Sequence, residues 1–327
     1  MKKVLASLAL GALSIPAVLS SAAFAADASA YPNKPVKIVV PFPPGGSTDV
    51  LIRLISPRLM AALGQPVIVE NRPGAAATLG ADAVSKAQPD GYTLLAASAH
   101  HTIAQAVFPN LNYRVDKSFA PVGTIALVPN LVVINDKLPA KNIAELVALT
   151  KAEPEKYNYG SAGPGSAHHL IGEMFKLRTG AQLTHVPYSG SAPAVSGLLS
   201  NQVQVMFDTV PSALPHIKSG RTTALAATTA KRSSALPDVP TLEESGLEGF
   251  DVGTWMGLVA PAGTPDAVVQ RVNKEIVGIL GNPDVQQQLR AQGIEPMSST
   301  SEEMQQRIDR EVKAFSALTK QVNLKIE

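Results

Sequence analysis

From Pro35 onward, short apolar runs alternate with stretches whose apolar residues recur every three or four positions, the pattern of strands and helices taking turns in an α/β fold. Residues 36–40 predict a strand, 41–46 a turn, and 49–63 a helix carrying Leu51, Leu54, Ile55, Leu59 and Leu63 on one face. A strand over 67–70 follows, then the turn Asn71-Arg72-Pro73-Gly74, a helix running to Ala87, the turn Pro89-Asp90-Gly91 and a strand over 92–97. This βαβαβ unit is half of an open parallel sheet. A second series has strands over 157–161, 183–187, 203–207 and 223–229, with helices over 143–152, 168–179 and 192–200 between them. Long extended stretches at 119–135 and 250–260 flank it, and helices over 265–280 and 301–318 close the chain. Two such crossings point to a chain that enters a second lobe near residue 125 and returns near 253, leaving the first lobe discontinuous. A single large domain, or two domains in tandem, fits the same pattern.

The length, 327 residues, exceeds what one hydrophobic core usually organises and favours two lobes. Apolar residues at 45% against 17% charged argue against disorder. The N-terminus needs separate treatment. Lys2 and Lys3, an apolar run from Val4 to Ala23, and Ala23-Phe24-Ala25 read as a secretory signal peptide over 1–25, cut after Ala25. An exported, periplasmic protein is therefore expected. Removing the two lysines leaves 26 basic residues against 26 acidic ones, with no basic stripe to serve as a nucleic-acid footprint. There are no cysteines, which excludes disulfides, thiolate metal sites and Cys nucleophiles.

Chemistry concentrates at two glycine-rich joints between a strand and a helix. The first is Pro43-Pro44-Gly45-Gly46-Ser47-Thr48-Asp49, where Ser47 or Thr48 can cap the helix and Asp49 can hold the loop by accepting backbone hydrogen bonds. The second, Tyr159 to His168, contains Ser161, Ala162, Gly163, Ser166, Ala167 and His168. Helix starts present free amides and the positive end of the helix dipole, so each joint is a candidate anion site. Two facing each other across a cleft suit the two ends of a dicarboxylate. Charged hydrogen bonds contribute about 1.5–3 kcal/mol each and the dipoles roughly 0.3–1 kcal/mol, enough for micromolar capture. Neither loop holds a lysine or arginine, so amides would meet the charge.

Other chemistries find less support. No Gly-Lys pair occurs, so no phosphate-binding P-loop is present, and neither loop completes G-x-G-x-x-G; no cofactor is expected. The six histidines do not form H-E-x-x-H, although His100, His168 and Asp208 leave a metal site across the lobes open. G-x-S-x-G is absent, leaving a hydrolase built on Ser166 and His168 as a rival. Asp208 follows a strand directly, where α/β clefts are lined. Trp255, the only tryptophan, is either a cleft wall or core.

The order of Tyr31-Pro32, Pro41-Phe42-Pro43-Pro44-Gly45-Gly46, Glu70-Asn71-Arg72-Pro73-Gly74, Pro89-Asp90-Gly91-Tyr92, His185-Val186-Pro187-Tyr188, Leu236-Pro237-Asp238-Val239-Pro240-Thr241 and Ala260-Pro261-Ala262-Gly263-Thr264-Pro265 resembles the tripartite tricarboxylate transporter receptors, the Bug or TctC-type solute receptors. The resemblance implies a two-lobe type II periplasmic-binding-protein fold with two crossover strands. It divides the chain into 26–125 plus 253–327 for the first lobe and 126–252 for the second. It also implies a monomeric receptor that binds a small carboxylate and passes it to membrane transporter subunits. Carried onto this chain, the ligand loops are Gly45, Gly46, Ser47, Thr48 and Asp49, then Ser161, Ala162, Gly163, Ser166, Ala167 and His168. Side walls would come from Ser98, His100, Tyr188, Asp208, Thr209 and Trp255. A receptor that signals to a sensor kinase fits the same features. This chain departs from the family pattern at Gly74-Ala75-Ala76-Ala77-Thr78, which lacks the later glycines, and at Pro164, which stiffens a ligand loop.

Overall fold

A computed structural model describes residues 31–321 apart from Ala76 and Pro109; the expected signal peptide lies outside the described residues. The first series folds as β1 (Val36–Val40), α1 (Ser47–Leu63), β2 (Val67–Asn71), α2 (Thr78–Ser85), β3 (Thr93–Ser98) and α3 (Ala99–Val107). β1 lies between β2 and β3 and is parallel to both. Its sequence, Val-Lys-Ile-Val-Val, is almost wholly buried because helices cover both faces of the sheet. Leu51, Ile55 and Leu59 of α1 pack on Val36 and Ile38 on one side, while Val39 and Leu95 face Met304 and Ile308 on the other.

β4 (Phe119–Asn135) then runs out of this sheet into a second one. The second series comprises α4 (Ile143–Ala152), β5 (Asn158–Ser161), α5 (Ala167–Thr179), β6 (Thr184–Pro187), α6 (Ser191–Leu199), β7 (Val205–Thr209), α7 (Val210–Lys218) and β8 (Thr222–Ala227). β9 (Gly253–Pro261) returns to the first sheet, followed by α8 (Asp266–Leu280), α9 (Pro283–Ala291), β10 (Glu295–Pro296) and α10 (Ser301–Gln321). The result is a two-lobe α/β fold.

The sheets are not parallel throughout, as the alternating pattern had suggested. β9 is antiparallel to both β3 and β4, and β4 is antiparallel to β7 and β8. The physical reason is directional: one long strand leaves the first lobe and its neighbour comes back, so the two must oppose each other. Along the second half of β4 the side chains alternate strictly. Val132 and Ile134 join Tyr159, Phe175 and Phe207 in one core layer, and Leu131 and Val133 join Val195 and Met206 in the other. Two first-lobe helices also reach this second core, through Ile103 and Val107 of α3 and Phe315 of α10.

The loop lacking the family's glycines holds Ala75 at φ 45° and Ala77 at φ 72°, left-handed conformations that favour glycine.

Where the crossing strands pass between lobes, polar side chains replace packing. Asn130 is fully buried on β4; its Nδ2 donates to the Phe207 carbonyl at 3.2 Å and its Oδ1 accepts from Thr254 Oγ1 on β9 at 3.1 Å. Its own carbonyl accepts from the Thr228 amide at 2.8 Å. Replacing Asn130 with alanine strands two buried partners, so Asn130→Ala should lower the free energy of unfolding by about 1–3 kcal/mol, measured by urea denaturation.

Candidate ligand-binding site

Among the helices that begin where a parallel strand ends are α1, α3 and α5, which follow β1, β3 and β5. At α1 the chain turns through Gly45 at φ 83°, and Gly46 takes the capping position with no side chain over the helix start. Neither Ser47 nor Thr48 caps, contrary to the sequence expectation; the Thr48 hydroxyl turns inward to Met256 Sδ at 3.7 Å. The amides of Ser47, Thr48 and Asp49 thus open the helix without a side-chain acceptor.

Asp49 braces this turn from inside. Its carboxylate accepts from the Gly45 amide at 2.9 Å, from Arg53 Nε at 2.9 and 3.0 Å, and from Asn71 Nδ2 at 2.8 Å. Burial alone would raise its pKa, but the bonds from Arg53, Gly45 and Asn71 together hold it below the usual carboxylate range. The charge is consumed within the loop, so Asp49 shapes the site and does not repel an anion from it.

α3 supplies a third start that sequence pattern did not separate from β3. Ser98, fully buried, donates its amide to His101 Nδ1 at 3.1 Å. His100 sits one residue earlier, with Ser98 Oγ 3.4 Å from its Nδ1 and the Phe42 ring edge-on at 5.3 Å. Burial, reinforced by His168, pushes His100 down to about 4. His168 lies in the first turn of α5, the helix against which α3 packs.

At α5, Ser166 caps the helix by accepting from the His169 amide at 3.3 Å. Ala167 and His168 follow, both buried. His168 Nε2 is 3.7 Å from Asp208 Oδ1, and its Nδ1 is buried without a hydrogen-bond partner. The separation is too long for a hydrogen bond. An ion pair would raise His168 and lower Asp208. The shifts run the other way: burial takes His168 down to about 4 and lifts Asp208 to about 6, the latter opposed by Ser212, the Thr209 amide and His216. The histidine is neutral, and the two groups form a dry polar contact. Among the described residues no three His, Asp or Glu side chains are placed to hold a metal ion, so His100, His168 and Asp208 do not form a metal cradle.

A groove of about 460 Å³ opens elsewhere, between Leu214 and Lys218 of α7 and Gln286 and Arg290 of α9. It contains none of these groups. His168 and Asp208 are closed off, only 4% and 1% exposed, while His100 is half-buried.

The model of the tripartite tricarboxylate transporter family receptor matches residues 51–324, starting just beyond the first glycine turn. Bordetella pertussis BugT is 37% identical over 94% of this chain and 96% of its own. Two solved Rhodopseudomonas palustris proteins are each 34% identical. Rpa4515, solved with adipate, superposes with a TM-score of 0.83 over 90% of this chain and 100% of that one. MatC, with bound malate, gives 0.78 over 88% and 99%. The chain belongs to this family of periplasmic solute-binding receptors.

Within the receptor, two residues named from the resemblance as side walls are placed otherwise. Trp255 is fully buried among Val39, Leu95 and Met304, and its Nε1 donates to Glu311 Oε2 at 2.7 Å. It is core because β9 is covered on that face by α10. The Tyr188 ring fills the space beside Gly197 and Gly160, and its hydroxyl points to Gln202 at 3.5 Å. Its amide donates to the Ser161 carbonyl at 3.0 Å. Thr209 follows Asp208 and gives it an amide at 2.9 Å. Ser161 and Gly163 bond to one another inside the loop, with Ala162 half-buried between them.

The site sets opposing pH slopes. Neutral His100 and His168 stabilise the fold above their ordinary range near 6.5, and this is lost as pH falls toward about 4. Asp208, raised to about 6, contributes stability that is full near pH 4 and lost as pH rises through 6. Asp208→Asn removes the second slope. The variant should lose more stability than the native protein on going from pH 6 to 4, as read from thermal midpoints across that window.

Proposed function

We propose that this receptor closes its two lobes over a small carboxylate, of the dicarboxylate or tricarboxylate class, and delivers it to the membrane subunits of a tripartite tricarboxylate-type transporter. The observation that carries the reading is His168 in the first turn of α5, buried with its Nδ1 lacking a hydrogen-bond partner, where α5 packs against α3, the helix that carries half-buried His100. Helix starts from both lobes border this contact. Amides and neutral imidazoles can donate to a carboxylate without the desolvation cost of a buried cation. The adipate and malate held by relatives at 34% identity support the same ligand class.

The lobes in this reading are 26–125 with 253–327, and 126–252. The hinge lies in β4 and β9 around Asn130 and Thr254, and closure presents a composite surface to the membrane subunits. No catalytic role is assigned. The Ser166 hydroxyl oxygen accepts from the His169 amide and so serves as the cap of α5.

Adipate, malate, citrate and a neutral amide control, titrated in a thermal-shift assay and by calorimetry, test this. A carboxylate at about 100 times its Kd should stabilise the protein by about 2.7 kcal/mol, and the amide should not. His168→Ala should weaken the binding at least about ten-fold, the loss of one charged hydrogen bond. A panel in which no carboxylate shifts the midpoint would overturn the reading.

A further inference from the structure

The second glycine loop has two residues with left-handed backbone, Gly163 at φ 119° and Gly165 at φ 71°, so local sterics fix it poorly. What holds it comes from beneath. Ser161 Oγ and His185 Nε2 share a 2.7 Å hydrogen bond, and the same hydroxyl oxygen accepts the Gly163 amide at 3.1 Å. The Gly165 amide donates to His169 Nδ1 at 3.1 Å. The two imidazoles stack with centroids 3.8 Å apart and planes 10° apart, and the Tyr159 ring lies against His185 at 4.9 Å. Tyr159 in turn donates to Glu173 Oε1 at 2.6 Å, and Lys176 closes the column from the surface.

We propose that His169 and His185 are positioning residues for the ligand loop of the second lobe. Each ring fixes one glycine amide, His169 directly and His185 through Ser161, so that the remaining amides of Ala167 and His168 face the site.

The Gly165 bond requires a neutral ring at His169. His169 can accept the Gly165 N–H only through an unprotonated Nδ1. Burial keeps both histidines low, His185 to about 4, with Lys176 opposing protonation and Glu173 favouring it. Both rings bond to residues of the loop itself, which separates them from His100 and His168. The link to ligand rests on the carboxylate reading above; the fixing of the loop does not.

Amide exchange at Gly163 and Gly165, followed by NMR in the ligand-free protein, provides the test. His185→Phe keeps a flat ring in the stack but drops the bond to Ser161, and His169→Phe drops the acceptor for Gly165. Gln at 185 and Asn at 169 restore a polar atom near the lost nitrogen. We expect exchange at Gly163 in His185→Phe and at Gly165 in His169→Phe to rise roughly ten-fold. In His185→Gln and His169→Asn it should stay within about two-fold of native. Ser161→Ala leaves the stack intact and should also accelerate Gly163, whether or not a Phe variant folds. Native rates at both glycines in the Phe and Ala variants would overturn the proposal. So would equal acceleration in the Gln and Asn variants, since that marks packing alone. Adipate and malate affinities measured on the same proteins should fall with the faster exchange. If the native protein binds none of the carboxylates of the panel, the carboxylate reading fails, and the exchange rates still decide the cradle.

Discussion

Asn130 and Thr254 bond across the two strands that connect the lobes, and the rest of the molecule is organised by that crossing. A strand that leaves one sheet and enters another must satisfy its backbone in both, and β4 changes partner from β9 at Pro129 to β7 at Asn130. Buried polar side chains sit at that change: Asn130 reaches β7 through the Phe207 carbonyl, and Thr228 donates its hydroxyl to the Val252 carbonyl at 2.5 Å. An apolar residue there would leave those partners without these bonds in the interior.

In the proposed carboxylate receptor, the strand ends that precede α1, α3 and α5 carry a site with an unusual balance of charge. The fixed charges near it are already spent: Arg53 on Asp49, and Asp49 on its own loop. What is left to meet a ligand is amide dipoles, hydroxyls and neutral imidazoles. Such groups stay fixed before the ligand arrives, and burying them costs less than burying a lysine. Any carboxylate can satisfy them. Selectivity between acids must then come from the distance between the helix starts and the shape of the closed space.

Much of this is legible along the chain, for reasons that differ from element to element. The strand at 36–40 and the helix at 143–152 are marked by uninterrupted apolar runs and regular spacing, and both appear as expected. α3, α7 and α9 escape notice. α3 follows β3 with no breaker between them, α7 contains Pro211 and Pro215, and α9 buries only Val285 and Leu289. Missing α3 hid the third helix start. The glycine loops advertise themselves by composition, but what holds them does not. His185 lies 24 residues beyond Ser161 and meets it only because β5 and β6 are neighbours. Trp255 shows the converse, since a lone aromatic on a crossing strand looks like a wall until α10 is seen to cover it.

That burial has a practical side. The single indole lies on β9 next to Thr254, and its Nε1–H ends on a carboxylate that also receives the Thr102 hydroxyl of α3 at 2.9 Å. Strand, helix and C-terminal segment therefore share one chromophore next to the hinge proposed above. If the lobes close as proposed, the single indole is an optical gauge of that bending, with no second tryptophan to blur the signal.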